Sequence, residues 1–272
     1  MLGAAVGGGT GKFVEKAWDS GEKWINSYFR NHNDSVQELA SKNSLDFLTQ
    51  LAMRINKLEE KNVALKKTIE KAQDQPEFSV LLQKALLASA QTDSLEKHSV
   101  LARLVADRLT MDPESTLALT TKIACDTISL MSSRQIKLLG IITNIIYLRP
   151  HGYPEAVVEG TMSSTYIREW TLGRLLMFAG YEFRAVDLDH LESLRCIKNV
   201  PPINPVAYST ITINHVEIDF ADVSDPSLAQ NIVFLWRLFT LNGGGLTLTG
   251  KMIGALAGDN ISGHNTEFIN FD

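Results

Sequence analysis

Cysteine is nearly absent from this chain: two residues in 272, Cys125 and Cys196. Two thiols so far apart exclude a disulfide scaffold, and neither has a partner at metal-ligand spacing, so both read as buried free thiols of a reducing compartment. Long apolar runs are missing as well. The stretch from Leu138 to Leu148 is interrupted by Gly140, Thr143 and Asn144 and falls short of the roughly 18 residues that a membrane helix needs. Positive charge is not in excess: 26 Lys and Arg against 31 Asp and Glu give a net charge of −5, which offers no global field to nucleic acid or anionic lipid. The first eleven residues lack the basic start and apolar run of an export signal. With 44% hydrophobic and 21% charged residues the composition is that of an ordinary globular protein, expected in the cytoplasm.

Catalytic signatures are also lacking. "VGGGTGK" at Val6–Lys12 resembles a phosphate-binding loop only superficially. Val6 stands where the first glycine belongs, Phe13 replaces the magnesium-binding hydroxyl, and no strand can precede the loop in so few residues. The six histidines, His32, His98, His151, His190, His215 and His264, form no H-E-x-x-H pair, and no G-x-S-x-G elbow holds a serine. "DLDH" brings Asp187, Asp189 and His190 close in sequence, but a helix points Asp189 away from the other two, and a helix start explains both carboxylates. No catalytic, metal-binding or cofactor-binding residue is therefore expected, and no cofactor. Acid and base groups that converge only in the fold are not legible in this way.

Helical periodicity dominates what is present. From Leu48 the apolar residues alternate spacings of three and four, placing Leu48, Ile55, Asn62 and Ile69 at a and Leu51, Leu58 and Leu65 at d of a heptad. Ile at a, Leu at d and one polar a residue form the pattern of a two-stranded coiled coil whose register the Asn sets. These seven residues are the expected oligomer seam, with an intramolecular helix hairpin as the alternative. Upstream, Phe13, Trp18, Trp24, Tyr28 and Phe29 lie on one face of an amphipathic helix flanked by lysines. Such a face suits a partner helix or a membrane surface, although Glu15, Asp19 and Glu22 weaken its attraction to anionic lipid.

Pro76, at a first helical turn, separates the long helix from a run of compact helices. "MDPES" supplies a boundary, with Asp112 as the expected cap, and "SSRQIKLLGIITNIIYLRP" is a helix capped by Ser132 or Ser133 and stopped by Pro150. After "VPPINP", the alternation in "AYSTITINHVEIDF" predicts a strand or hairpin, and "LTLTGKMIGALAG" a short strand running into a last helix. The expected fold is mainly α (α+β). Residues 1–33 form a Gly-rich start and aromatic helix, 34–75 a coiled-coil-like helix, 76–150 a helical bundle, and 151–272 a winged-helix-like part with a small β hairpin.

Two resemblances accompany this reading. "LLQKALLASAQTDSLEKHSVLARLVADRL" and "LTTKIACDTISLMSSRQIKLLG" resemble the helical core of the bacterial Abi-alpha (abortive infection) group over residues 76–150. That resemblance implies a place in antiphage defence and carries no catalytic residues. The order of "QIKLLGIITNII", "LDHLESLRCI", the strand-rich segment and "LTLTGKMIGAL" is similar to a winged-helix arrangement. From Ala185 onward, however, there are four Lys or Arg against ten Asp or Glu, which disfavours contact with DNA phosphates. The expected function is a non-catalytic self-assembling or partner-binding protein of abortive-infection type. A winged-helix transcription regulator and a membrane-associating effector acting through the N-terminal helix are the alternatives.

Overall fold

A computed structural model describes residues 21–61, 67–69, 71, 75–153, 155–198, 210–214, 216–241 and 243–262. The fold is mainly helical with two small antiparallel sheets, as expected. The chain divides into two compact units after Leu130. That division corrects the expected boundary at Pro150. The helix Ser133–Ile146 belongs to the second unit because its apolar face is covered by the C-terminal helix of that unit.

The first unit is all-α in its described part. Helix α1 (21–28) turns its Gly21, Ile25 and Phe29 side inward, and a Cβ added to Gly21 would lie 2.8 Å from Leu86. Helix α2 (Asp34–Lys61) packs against α3 (Pro76–Ala90) and α4 (Leu95–Arg108), and α5 (Thr116–Ser129) against the same two. Pro76 opens α3 as its sequence position predicts. Ser94 caps α4 by accepting from the Lys97 N–H. The expected cap Asp112 instead closes the preceding turn by accepting from the Glu114 N–H, and Ser115 caps α5 through the Ala118 N–H. A Pro-Glu-Ser segment leaves room for both, and the serine nearer the apolar run takes the cap.

The second unit is built on α6 (Ser133–Ile146) and α11 (Leu248–Ser262). Ser132 and Gln135 form a reciprocal capping box at the start of α6. Between these helices come a short turn α7 (Glu155–Val158), α8 (Ser164–Leu176), α9 (Ala185–Ser193) and α10 (Pro226–Trp236), the last running into a π turn, Arg237–Leu241. Strand β1 (Ile197–Lys198) pairs antiparallel with β4 (Gly245–Leu246), so that Ile197 faces Leu246. Strands β2 (Thr210–Ile213) and β3 (Val216–Asp219) form the hairpin that the alternation predicts, with Ile211 opposite Ile218. Asn214, which follows β2, has φ +55°, a left-handed conformation that Asn tolerates better than most residues.

Two glycines of α11 face α6 and a third faces the chain just before β1. Gly250, Gly254 and Gly258 lie on one side of α11 at intervals of four, a repeat the sequence reading passed over. A Cβ on Gly254 would collide with the Leu139 carbonyl and the Thr143 hydroxyl, one on Gly250 with the Cys196 carbonyl, and one on Gly258 would lie 2.8 Å from Asn144 Nδ2. At Gly250 and Gly254 the helix backbone thus meets a backbone carbonyl, and at Gly258 it meets the Asn144 side-chain amide.

Candidate functional site

The seam residues are placed first by what covers them. Leu48, Leu51, Ile55 and Ile69 have no exposed surface, and α2 spends its apolar stripe on α3 and α4 of the same chain. These four side chains, assigned to a partner helix, are therefore core of the first unit, as the hairpin alternative has it. A heptad stripe and a packed three-helix stripe have nearly the same period, so sequence spacing does not separate them. Leu58 is half-buried, and Asn62 and Leu65 lie outside the described residues. Of the aromatic face, Phe13 and Trp18 also lie outside. Trp24 is half-buried, Phe29 is buried beside Ile25, and only Tyr28 is exposed, its hydroxyl accepting from Gln91.

Among the described residues, His98, Cys125, Cys196 and Asp187 are committed to structure. His98 is fully buried, with Nε2 3.2 and 2.9 Å from the Ser89 and Thr92 carbonyls, bracing the end of α3. Burial pushes the Cys125 thiol up to about 12, helped by the neighbouring Asp126 charge against the opposing Lys84, and burial does the same to Cys196. Neither is a thiolate at neutral pH. Asp187 of "DLDH" is buried and accepts from Arg134, Gln135 and the Arg184 N–H. Burial alone would raise its pKa, but these donors, Arg134 foremost, hold it below the ordinary 3.8. Among the described residues no group of three His, Cys, Asp or Glu is arranged to hold a metal ion.

Among the described residues, two places stand out as open to another molecule. One is a shallow cleft of about 430 Å³ in the second unit, lined by Arg134, Lys137, Phe178, Tyr181, Glu182 and Ile261. Its polar groups are largely occupied. The Arg134 guanidinium contacts both Asp187 oxygens at 2.9 and 3.0 Å, the Tyr181 hydroxyl donates to the Arg134 carbonyl at 2.5 Å, and the Gly180 N–H is taken by Asp225 at 2.6 Å.

The other is the outer face of α3 and α5 in the first unit. Val80 on α3 and Leu119 and Ile123 on α5 are 54%, 45% and 56% exposed. Salt bridges hold this face together: Glu77–Lys122 at 3.1 Å and Lys84–Asp126 at 2.6 Å. In sequence Val80 falls between the two α3 charges and Ile123 between the two α5 charges, so the aliphatic groups are framed by the bridges. Spacings of four, three and four carry the α5 stripe through Leu119, Ile123 and Asp126 to Leu130, which is 63% exposed. Helix α5 has apolar residues on two opposite sides, and a helix at the edge of a unit can bury only one.

One family model, which carries the bare description ":-like" and belongs to an uncharacterised family, matches residues 11–217. No curated protein and no solved structure matches the chain.

Proposed function

We propose that this chain, which belongs to the uncharacterised family matched over residues 11–217, is a non-catalytic partner-binding protein that acts in abortive-infection-type antiphage defence through the α3–α5 face. The framed aliphatic patch is the observation that carries this reading. Val80, Leu119, Ile123 and Leu130 together expose on the order of 300 Å², a patch size that on single chains is often functional. Water-exposed leucine and isoleucine cost nothing singly, but a row of them along one helix is retained at the expense of solubility unless something covers it.

The commitment of the buried polar groups to capping, clamping and bracing supports a binding rather than a chemical role. The likeness of residues 76–150 to the Abi-alpha core supports the defence setting, and α3 and α5 both lie inside that stretch. A reducing cytoplasm suits two buried free thiols. Among the described residues no helix is long and apolar enough to cross a membrane.

The test is plaque formation on bacteria expressing the wild-type chain or Ile123→Asp, against a panel of phages. Because Ile123 is more than half exposed, the variant keeps its fold, verified by circular dichroism. Protection by the wild type that is lost in Ile123→Asp is the expected result. Protection that survives the substitution removes the face from the function, and no protection from the wild type against any phage removes the defence setting.

A further inference from the structure

We infer that the molecule covering the α3–α5 face is a second copy of this chain, docked about a two-fold axis that passes α5 at the level of Ala124; this rests on the partner-binding reading above. The argument is one of register. In an antiparallel pair of identical helices related by a two-fold axis, residue i meets residue j and residue j meets residue i. With the axis level with Ala124, Lys122 of one copy lies opposite Asp126 of the other, and the same pair recurs on the far side of the axis.

The same register brings Leu119 of each copy within about 1.5 Å of the level of Leu130 of the other. At a rise of about 1.5 Å per residue the two Ile123 side chains meet within about 3 Å of the same level. Opposite charges and apolar groups find their complements simultaneously. A single shift that paired Lys122 with Lys122 would break all of these pairings. Asp126 is already bridged to Lys84 within its own chain at 2.6 Å and Lys122 to Glu77 at 3.1 Å, so the charges are held in position before the copies meet.

The face is small. Helix α5 has 14 residues, about 21 Å of length, and with the edge of α3 it buries roughly 400 Å² per copy. That is about half the area of a standard interface, so the dimer is weak, with a dissociation constant in the micromolar range or above.

Cysteine cross-linking tests the register, since Cys125 and Cys196 are fully buried and the introduced thiols lie on exposed positions. Side chains facing each other across a helix pair come within disulfide reach. Full-length Ile123→Cys oxidised with diamide at about 100 μM is expected to form a covalent dimer. A mixture of Leu119→Cys and Leu130→Cys should form the mixed dimer, with little homodimer of either. Met53→Cys, 52% exposed on α2 and outside the docking face, should stay monomeric. Failure of Ile123→Cys to cross-link, or equal cross-linking by Met53→Cys, overturns the inference, as does sedimentation showing that Ile123→Asp dimerises like the wild type. If Ile123→Cys stays monomeric while Ile123→Asp still loses phage protection, the face binds a different molecule, and only the second-copy inference falls.

Discussion

Replacing Gly254 with alanine opposes two effects of similar origin and opposite sign. In an exposed helix Gly→Ala stabilises by about 1 kcal/mol, because alanine loses less backbone entropy and favours the helix. At Gly254 the added methyl would overlap the Leu139 carbonyl and the Thr143 hydroxyl of α6. A carbonyl inside a helix cannot rotate aside, and Thr143 is held by its own bond to Leu139 O at 2.7 Å. The two helices must therefore separate, opening gaps along a seam that also contains Gly258 against Asn144. Overpacking of this kind costs about 1–3 kcal/mol, and the loss of contacts along the rest of the seam adds to it. The net expectation is destabilisation of the second unit by about 2 kcal/mol.

Gly173 is the matched control. It lies inside α8 with nothing within 4 Å of an added Cβ, so Gly173→Ala should stabilise by about 0.5–1 kcal/mol. Urea denaturation of both variants, followed by circular dichroism and by hydrogen exchange in α6 and α11, separates the two signs. A Gly254→Ala protein as stable as the wild type, or more stable, would refute the claim that helix proximity rather than helix propensity governs this position.

Leu51→Ala should destabilise the first unit by about 2–5 kcal/mol, as for a fully buried leucine, while light scattering finds the molar mass unchanged. A change in mass with little loss of stability would return Leu51 to an intermolecular seam. Asp187→Asn should cost about 1–3 kcal/mol at neutral pH by weakening a charged hydrogen-bond cluster. The Asp187 pKa is lowered in the fold, so its stabilisation is present above about pH 4 and fades as pH falls through the lower folded value. The wild type should thus lose stability over that acid range, and Asp187→Asn should lose less, as read from melting temperatures between pH 5 and pH 2. Arg174→Met should cost about 3–5 kcal/mol, because Asp259 would remain fully buried without the cation 3.7 Å away. Removing both charges with Arg174→Met and Asp259→Leu should recover much of the loss, and a double variant no better than the single would show that the pair does not act through charge.

Short-range chemistry made much of the fold legible. Pro76 at a helix start, Ser132 with Gln135 as a capping box, and the alternation around Ile211, Ile213 and Ile218 each depend on neighbours within a few residues, so the amino-acid order determines them. The mainly helical class with one small hairpin followed from the same local signals. Partner choice was not local. Leu48, Leu51 and Ile55 announce an apolar stripe, but a stripe does not state whether the chain itself or another molecule will cover it, and α3 and α4 settled that by covering it. Conversely, Leu119 and Ile123 are as apolar as the core residues, and the placement of α5 at the edge of its unit left them in water beside Lys122 and Asp126. The glycines of α11 carry no side chain to bias a pattern, and only the approach of α6 to Gly254 and of the Cys196 carbonyl to Gly250 shows why nothing larger fits there. Sequence by itself determined which segments become helices and which of their sides are apolar. The tertiary structure decided which of those sides meet each other, because burial is a property of pairs of surfaces and a single helix contains only one of them.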